Sequence, residues 1–289
     1  MKFEPRLLRT PYEGCHADYE ESEIVLLGAG YDGTSSYRPG SRFAPAALRA
    51  ETLYSQEDYS PYFDRDLSDR PVHDAGDIDL PIGNKNAALE MIRLAAAEIF
   101  QDRKIPCFLG GEHLVTLPIV EAAVQHYPDL RIVQLDAHLD LMDELFGDSL
   151  SHGTVMRRAF DLLDRDGSRL YQVGIRSGNR LEWEFARANT RLFPFDERGF
   201  LKAVSELEGY PIYLTVDLDV FDPSLLPGTG TPEAGGIFFP QYIEILKALE
   251  PLNVVGCDVV ELSPYLDPSH NSSIIAAKIL RELLLMLPV

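Results

Sequence analysis

Cysteine, tryptophan and long apolar runs are scarce in this chain of 289 residues, which has three cysteines and one tryptophan. An odd number of cysteines (Cys15, Cys107 and Cys257) argues against a disulfide framework, so we expect a reducing, cytoplasmic compartment. No run of about 18 apolar residues occurs, and we therefore predict no transmembrane helix. The first residues include Glu4 and Pro5 and no apolar segment, so we expect no secretory signal.

Basic residues are also in deficit. The chain has 26 lysines and arginines against 46 aspartates and glutamates, which gives a formal net charge of -20. A surface of this sign repels phosphate groups, so we expect neither nucleic acid nor an anionic membrane as a partner. It attracts metal ions or a positively charged small substrate, although acidity can also serve solubility alone.

Short apolar runs rich in valine, isoleucine and leucine alternate with stretches of helical periodicity. The runs are 23–31, 105–111, 131–137, 170–176, 211–217 and 253–262, and the helical stretches are 85–102, 114–127, 154–166, 238–250 and 272–287. Continuous apolar runs are typical of strands buried on both faces of a parallel sheet. Because no linker or internal repeat interrupts the pattern, we predict one domain over residues 1–289. Its fold class is α/β, with three layers, α/β/α, around a mostly parallel sheet.

Acidic residues and histidines follow three of these runs, at the strand ends where open α/β sheets bind ligands. They are His113, Asp136, His138, Asp140, Asp217 and Asp219. Asp136, His138 and Asp140 are spaced two apart, so their side chains point the same way in an extended chain.

Clustered carboxylates of this kind need a positive partner, because they repel one another and burial disfavours their ionisation. A single aspartate after a strand is often only a helix N-cap, but six such groups at three strand ends indicate divalent metal. Six ligands exceed one tetrahedral zinc site and fit two ions that share bridging carboxylates. Four carboxylates with two imidazoles favour an ion such as Mn²⁺.

Six stretches taken together resemble the ureohydrolases, the arginase and agmatinase family of dinuclear manganese hydrolases. They are YRPGSRF at 37–43, GGEH at 110–113, DAHLD at 136–140, SHG at 151–153, DLDVFDP at 217–223 and DVVE at 258–261. The resemblance runs from about residue 22 to the C-terminal end. It leaves residues 1–22 as an N-terminal extension, which is a candidate for a subunit contact. It implies an arginase-like fold and a homo-oligomer, either a trimer or a hexamer.

The resemblance also implies a division of roles among the site residues. One Mn²⁺ is expected on His113, Asp136, Asp140 and Asp217, and a second on His138, Asp136, Asp217 and Asp219. A hydroxide between the two ions is expected to attack the guanidinium carbon of the substrate. Glu261 is expected to bind the guanidinium group, since a carboxylate accepts a forked pair of N–H bonds. His152 is expected to carry a proton to the leaving amine.

Two positions depart from the usual family pattern. Leu139 stands where the family usually has threonine or alanine, and Met142 where it often has arginine. Neither is a proposed ligand, and Leu139 is expected to point away from the two ligands that flank it. We therefore expect altered packing or specificity there and no loss of metal.

The loop LMDELFGDSL at 141–150 is acidic and apolar. Its charges disfavour the carboxylate of arginine and favour a terminal ammonium, so Asp143 and Glu144 are predicted substrate-binding residues. The resemblance is also closer to agmatinases at 144–152, and it implies hydrolysis of agmatine to putrescine and urea.

Other readings stay open on the sequence alone. Another ureohydrolase, such as a guanidinobutyrase, guanidinase, arginase or formimidoylglutamase, would carry the same motifs. A non-catalytic metal-binding paralogue is the alternative from a different class, although it would need neither His152 nor Glu261.

Overall fold

The computed structural model describes residues 11–288, in which a large parallel sheet is covered by helices on both faces. The strands are β1 Ile24–Ala29, β2 Tyr59–Ser60, β3 Arg65–Asp66, β4 Val72–Asp77, β5 Ile105–Gly110, β6 Arg131–Leu135, β7 Leu170–Ile175, β8 Arg191–Pro194, β9 Ile212–Asp217 and β10 Val254–Val260. The α-helices are α1 Ala44–Ser55, α2 Lys85–Gln101, α3 Thr116–His126, α4 Val155–Leu162, α5 Arg180–Asn189, α6 Arg198–Ala203, α7 Phe239–Leu249 and α8 Asn271–Met286.

Eight of the strands form one sheet in the order β4-β1-β5-β10-β9-β6-β7-β8, and every neighbouring pair in it is parallel. The two remaining strands, β2 and β3, form a small antiparallel pair. Each of the six predicted apolar runs contains a strand of the large sheet. Four of the five predicted helical stretches contain a helix, and the fifth, 272–287, coincides with α8 except that α8 begins and ends one residue earlier.

Apolar side chains on both faces of the sheet make the three layers. In β1, Ile24 and Leu26 join one buried apolar cluster while Val25 and Leu27 join the other, as the alternation of a strand requires. Helices α1, α6, α7 and α8 contribute to the first cluster, and α2, α3, α4 and α5 contribute to the second. The predicted α/β/α architecture is confirmed.

Two strands of the large sheet lie outside the predicted runs, and both are its outermost strands. Strand β4 has the polar sequence VHDAGD and β8 has the sequence RLFP. An edge strand has one neighbour and less apolar packing, so it lacks the continuous apolar run that marks a central strand. In β4, Asp74 and Asp77 instead form ion pairs with Arg49 of α1.

The sheet order brings the motif-bearing strand ends together. Strands β5, β10, β9 and β6 are consecutive neighbours at the centre of the sheet. All four run in the same direction, so the residues that follow them meet at the carboxyl ends of these central strands.

The helices and the N-terminal residues bear on two of the expectations from the sequence. No helix among residues 11–288 has the length and apolarity to cross a membrane. Of the proposed N-terminal extension, residues 1–10 lie outside the described part of the chain.

Candidate metal centre and active site

The structure brings the six predicted metal-site residues together at the carboxyl ends of the central strands. His113, just after β5, is fully buried, and its Nδ1 lies 3.0 Å from Asp136 Oδ2. The same nitrogen lies 3.1 Å from Asp140 Oδ2 and 3.2 Å from Asp217 Oδ2. Three carboxylates from two different strand ends therefore converge on one imidazole nitrogen.

A second group adjoins the first and shares a carboxylate with it. His138 Nδ1 lies 2.9 Å from Asp219 Oδ2 and 3.7 Å from Asp136 Oδ1. Asp136 thus directs one oxygen toward each imidazole. Ligand atoms of His113, Asp136 and Asp140 lie close enough to hold one ion, and those of Asp136, His138 and Asp219 lie close enough to hold another.

Backbone N–H groups orient these carboxylates. The N–H of His138 donates to Asp136 Oδ1 (2.6 Å), and the N–H of Asp219 donates to Asp217 Oδ1 (2.9 Å). Ala137 N–H donates to Asp219 Oδ1 across the two strand ends (3.1 Å). In Asp217 and Asp219 the other oxygen is the one that faces an imidazole.

The electrostatics of the group are unfavourable without added positive charge. Burial, with the neighbouring carboxylates of Asp219 and Asp136, raises the pKa of Asp217 well above its ordinary value. Burial and the charge of Asp136 raise the pKa of Asp140 to about 7. Burial opposes a charge on His113, but the carboxylates around it outweigh burial and raise its pKa.

A divalent cation fits this set of residues. His113 Nδ1 is buried and makes no hydrogen bond, although three carboxylate oxygens surround it, which is the arrangement expected of a metal-ligating atom. Within residues 11–288 the ion pairs of the four carboxylates are to histidines and never to lysine or arginine. An oxygen-rich site with two imidazoles suits a borderline-hard divalent ion.

Backbone conformation marks two of the site residues. Asp140 has a φ of 52° and Glu261 a φ of 66°, in the left-handed region that residues other than glycine rarely adopt. Strained conformations of this kind persist where the surrounding structure holds them, and they concentrate at functional sites.

A chain of hydrogen bonds orients His113 through the ring nitrogen opposite Nδ1. His113 Nε2 lies 3.0 Å from Thr215 Oγ1, and that hydroxyl donates to Asp258 Oδ1 (2.6 Å). The Thr215 oxygen therefore accepts from Nε2–H, which leaves Nδ1 with the lone pair that a metal needs. Asp258 is fully buried and accepts two further hydrogen bonds, from Tyr213 and Thr116.

Two buried glutamines support Asp136, and the sequence analysis does not identify either. Gln134 Nε2 donates to Asp136 Oδ2 (2.6 Å), and Gln172 Nε2 donates to Gln134 Oε1 (2.8 Å). Both glutamines lie inside strands and are flanked by buried apolar residues, in the sequences RIVQL of β6 and LYQVGI of β7. A polar residue within a buried run was the signal that could have found them.

A cavity of about 310 Å³ opens onto the metal-site residues. It is lined by Ser36, His138, Leu139, Asp140, Met142, Leu145, His152, Gly153, Ser177, Gly178, Asn179, Glu182, Asp217, Asp219, Thr231 and Glu261. Both departures from the family pattern, Leu139 and Met142, therefore lie at the cavity. Leu139 is fully buried and packs in the apolar cluster beneath α2 to α5.

The two non-ligand residues predicted for chemistry both line this cavity. Glu261 Oε1 accepts a hydrogen bond from the backbone N–H of His113 (2.7 Å), and burial together with the charge of Glu112 raises its pKa. His152 lies in the short helix His152–Thr154 that precedes α4. Its Nε2 accepts a hydrogen bond from Ser36 N–H (3.2 Å), and burial lowers its pKa to about 4.

The placement of the two acidic loop residues, Asp143 and Glu144, differs from the sequence-based expectation. Asp143 is largely exposed and forms ion pairs with Arg157 (3.3 Å) and Arg158 (3.0 Å), and Glu144 is exposed. Neither lines the cavity, because arginines of the following helix α4 draw Asp143 outward. The structure thus places both acids outside the cavity that the metal-site residues line.

The acid that does line the cavity beside this loop is Glu182, which sequence reasoning missed. It is 4% exposed, and its carboxylate accepts hydrogen bonds from Leu141 N–H (3.2 Å) and Asn179 N–H (2.9 Å). Burial raises its pKa. Its position at the third residue of α5 was the available signal, because it forms a capping box with Asn179.

The chain belongs to the arginase family. The model of that family matches residues 22–286, which covers the sheet, the cavity and all six metal-site residues. The protein is therefore a ureohydrolase, an enzyme that acts on carbon–nitrogen bonds of amidino groups.

Individual relatives share most of their length with this chain. It is 44% identical to an agmatinase of Bacillus anthracis over 99% of both proteins. It is 33% identical to a guanidinobutyrase of Pseudomonas aeruginosa, over 98% of this chain and 92% of that protein. The crystal structure of the agmatine ureohydrolase of Thermoplasma volcanium superimposes with a TM-score of 0.84 at 32% identity, over 96% of this chain and 94% of that one.

Removing the hydroxyl that holds His113 should weaken metal binding. We expect Thr215→Val to lower the affinity for Mn²⁺ by about 10–100-fold, because His113 loses the partner that fixes its tautomer and ring orientation. The dissociation constant, measured by competition with a chelator, checks this.

Thr116→Val is the matched control, since the Thr116 hydroxyl also donates to Asp258, whereas the hydroxyl that bonds the His113 ring is that of Thr215. Its affinity for Mn²⁺ should stay much closer to that of the wild type. Equal affinities for wild type and Thr215→Val would show that this hydrogen bond does not orient the ligand.

Proposed function

We propose that this enzyme hydrolyses agmatine to putrescine and urea with two Mn²⁺ ions bound at the metal-site residues. The observation that carries the proposal is the content of one cavity. It joins both candidate metal groups, a buried carboxylate suited to a guanidinium (Glu261) and a second buried acid suited to an ammonium (Glu182).

We assign each ion four ligands, with two carboxylates shared. One ion takes His113, Asp136, Asp140 and Asp217, and the other takes His138, Asp136, Asp217 and Asp219. When bound, the ions supply a water molecule acidified to a pKa of about 7, which is a nucleophile at neutral pH.

Glu261 holds the guanidinium group in this proposal. The backbone N–H of His113 already occupies Oε1, so Oε2 is the oxygen left to accept from a guanidinium N–H. Burial raises the pKa of Glu261, and an arriving cation reverses that effect by stabilising the ionised carboxylate. The N–H that orients Glu261 belongs to His113, a metal-site residue. The guanidinium-binding carboxylate is therefore fixed in position relative to the metal site.

His152 carries the proton from the attacking water to the leaving amine. Ser36 N–H donates to Nε2, which therefore holds the lone pair, and Nε2 takes up the proton once this hydrogen bond is released. Burial lowers the pKa of His152 to about 4, and its protonated form therefore releases the proton readily. An amine leaves far more easily once it is protonated.

Glu182 provides the negative charge for the far end of the substrate. Its carboxylate is buried and lines the same cavity as the apolar side chains of Met142 and Leu145, which suit a methylene chain. An ammonium offsets the cost of this buried charge, whereas the carboxylate of arginine or of 4-guanidinobutyrate adds repulsion.

Urea release from agmatine, arginine and 4-guanidinobutyrate, measured side by side with added Mn²⁺, tests the proposed substrate. We expect agmatine to lead arginine in kcat/KM by about 100-fold. Glu182→Gln should narrow this ratio about 10-fold or more, because it removes the charge that distinguishes the two tails. Asp143→Asn, the matched exposed acid, should leave the ratio unchanged.

A preference for 4-guanidinobutyrate would instead assign a guanidinobutyrase. An unchanged agmatine-to-arginine ratio in Glu182→Gln would show that selectivity arises elsewhere in the cavity.

The proton-carrying role predicts a loss of turnover without loss of metal. His152→Ala should lower kcat by about 10²–10⁴-fold while KM changes little and the metal content stays at the wild-type value. Steady-state kinetics on agmatine and elemental analysis of the same samples check this. His16→Ala, an exposed histidine outside the cavity, is the control. Metal loss in His152→Ala would make His152 a ligand, and unchanged turnover would mean that the proton travels by another route.

A further inference from the structure

A buried carboxylate next to the metal site contacts neither the cavity nor the metal-site carboxylates. Glu112 is fully buried between β5 and His113, and it faces the loop 34–38. Its Oε2 accepts from Thr34 N–H (2.8 Å), its Oε1 accepts from the Thr34 hydroxyl (2.6 Å), and Ser35 Oγ lies 3.3 Å from Oε2. Every neighbour within hydrogen-bond distance is therefore a donor.

The same loop holds His152 at two points. Thr34 Oγ1 accepts a hydrogen bond from the backbone N–H of His152 (3.0 Å), and Ser36 N–H donates to His152 Nε2 (3.2 Å). A single hydroxyl, that of Thr34, thus donates to Glu112 and accepts from His152. Thr34 therefore connects the Glu112 carboxylate to the backbone of His152, and Ser36, two residues further along the loop, contacts the imidazole.

The far end of the loop is fixed on the other side of the cavity. The Arg38 side chain donates to the carbonyl oxygens of Thr229 (2.8 Å) and Gly230 (3.0 Å). Ser36, between the two anchors, lines the cavity beside His152. Loops with exposed backbone are ordinarily mobile, so the position of this one depends on its two anchors.

We propose that Glu112 is a positioning residue for the proton carrier: its buried carboxylate holds Thr34 to Ser36 against His152 and so sets where the imidazole stands over the cavity. The inference rests on the proposed function in taking His152 as the proton carrier. An ionised carboxylate only accepts hydrogen bonds, and those from N–H and O–H groups are charge-assisted. A glutamine in its place presents an NH₂ donor to groups that themselves donate.

Two substitutions test the connection at different points. Glu112→Gln and Thr34→Val should each lower kcat on agmatine by about 10-fold, with KM and metal content close to those of the wild type. Glu197→Gln is the control, because Glu197 is also buried but bonds Gln241 and lies outside the cavity. It should leave kcat unchanged. A change in KM with kcat intact would show that Glu112 acts through Glu261 and would overturn the proposal.

A double-mutant cycle separates positioning from a general loss of structure. In a His152→Ala background, Glu112→Gln should lower kcat little further, because the group that it positions is gone. A full additional 10-fold loss in that background would contradict the proposal.

Amide hydrogen exchange provides a readout that does not depend on the reaction. In the metal-loaded enzyme, Glu112→Gln should speed exchange in the peptide that contains Thr34 and Ser36, while Glu197→Gln should not. If no guanidine compound is hydrolysed, the proposed function fails, and this exchange result alone decides whether Glu112 holds the loop. Unchanged exchange in Glu112→Gln would contradict the positioning role even if agmatine is the substrate.

Discussion

The structure depends on one electrostatic constraint: four carboxylates are buried around two imidazoles with no lysine or arginine paired to them in the described chain. Groups so arranged cannot all be ionised unless further positive charge lies among them. In the proposed function two divalent ions supply it, and the buried Nδ1 of His113, which makes no hydrogen bond, supports a metal ligand at this position. The formal net charge of the whole chain, -20, also favours the approach of cations.

The fold provides this arrangement through the order of its strands. The four central neighbours β5, β10, β9 and β6 are parallel, so the residues after them meet at one edge. Backbone N–H groups at these ends fix the carboxylate oxygens, and polar chains through Thr215 and Gln134 fix the ligands from within the sheet. The metal site is therefore built at the carboxyl ends of the central strands, whereas His152 is held by the loop 34–38.

Much of this could be predicted from the sequence, because burial leaves a local signature. Central strands buried on both faces appear as continuous apolar runs, and the candidate ligands follow directly after them. The edge strands β4 and β8 lack that signature. Glu182 and Glu112 were missed because their contacts lie far away in the sequence, Glu112 with Thr34 and Glu182 with Leu141.

Asp143 and Glu144 show what the sequence could not predict, namely the direction in which a side chain near a ligand points. Asp143 and Glu144 follow the metal motif closely in the chain, and proximity in sequence suggested proximity to the substrate. The structure turns Asp143 toward Arg157 and Arg158 of the next helix, where the ion pairs form in solvent. A side chain three residues from a ligand can face away from the site, and only the tertiary structure determines which way it points.

The number of metal ions bound per chain tests the central claim most directly. Titration of metal-free protein with Mn²⁺, followed calorimetrically and by elemental analysis, should give two ions per chain for the wild type. Asp136→Asn should lose high affinity at both positions, because Asp136 contributes an oxygen to each group. One ion or none in the wild type, or two ions retained at full affinity in Asp136→Asn, would contradict the account.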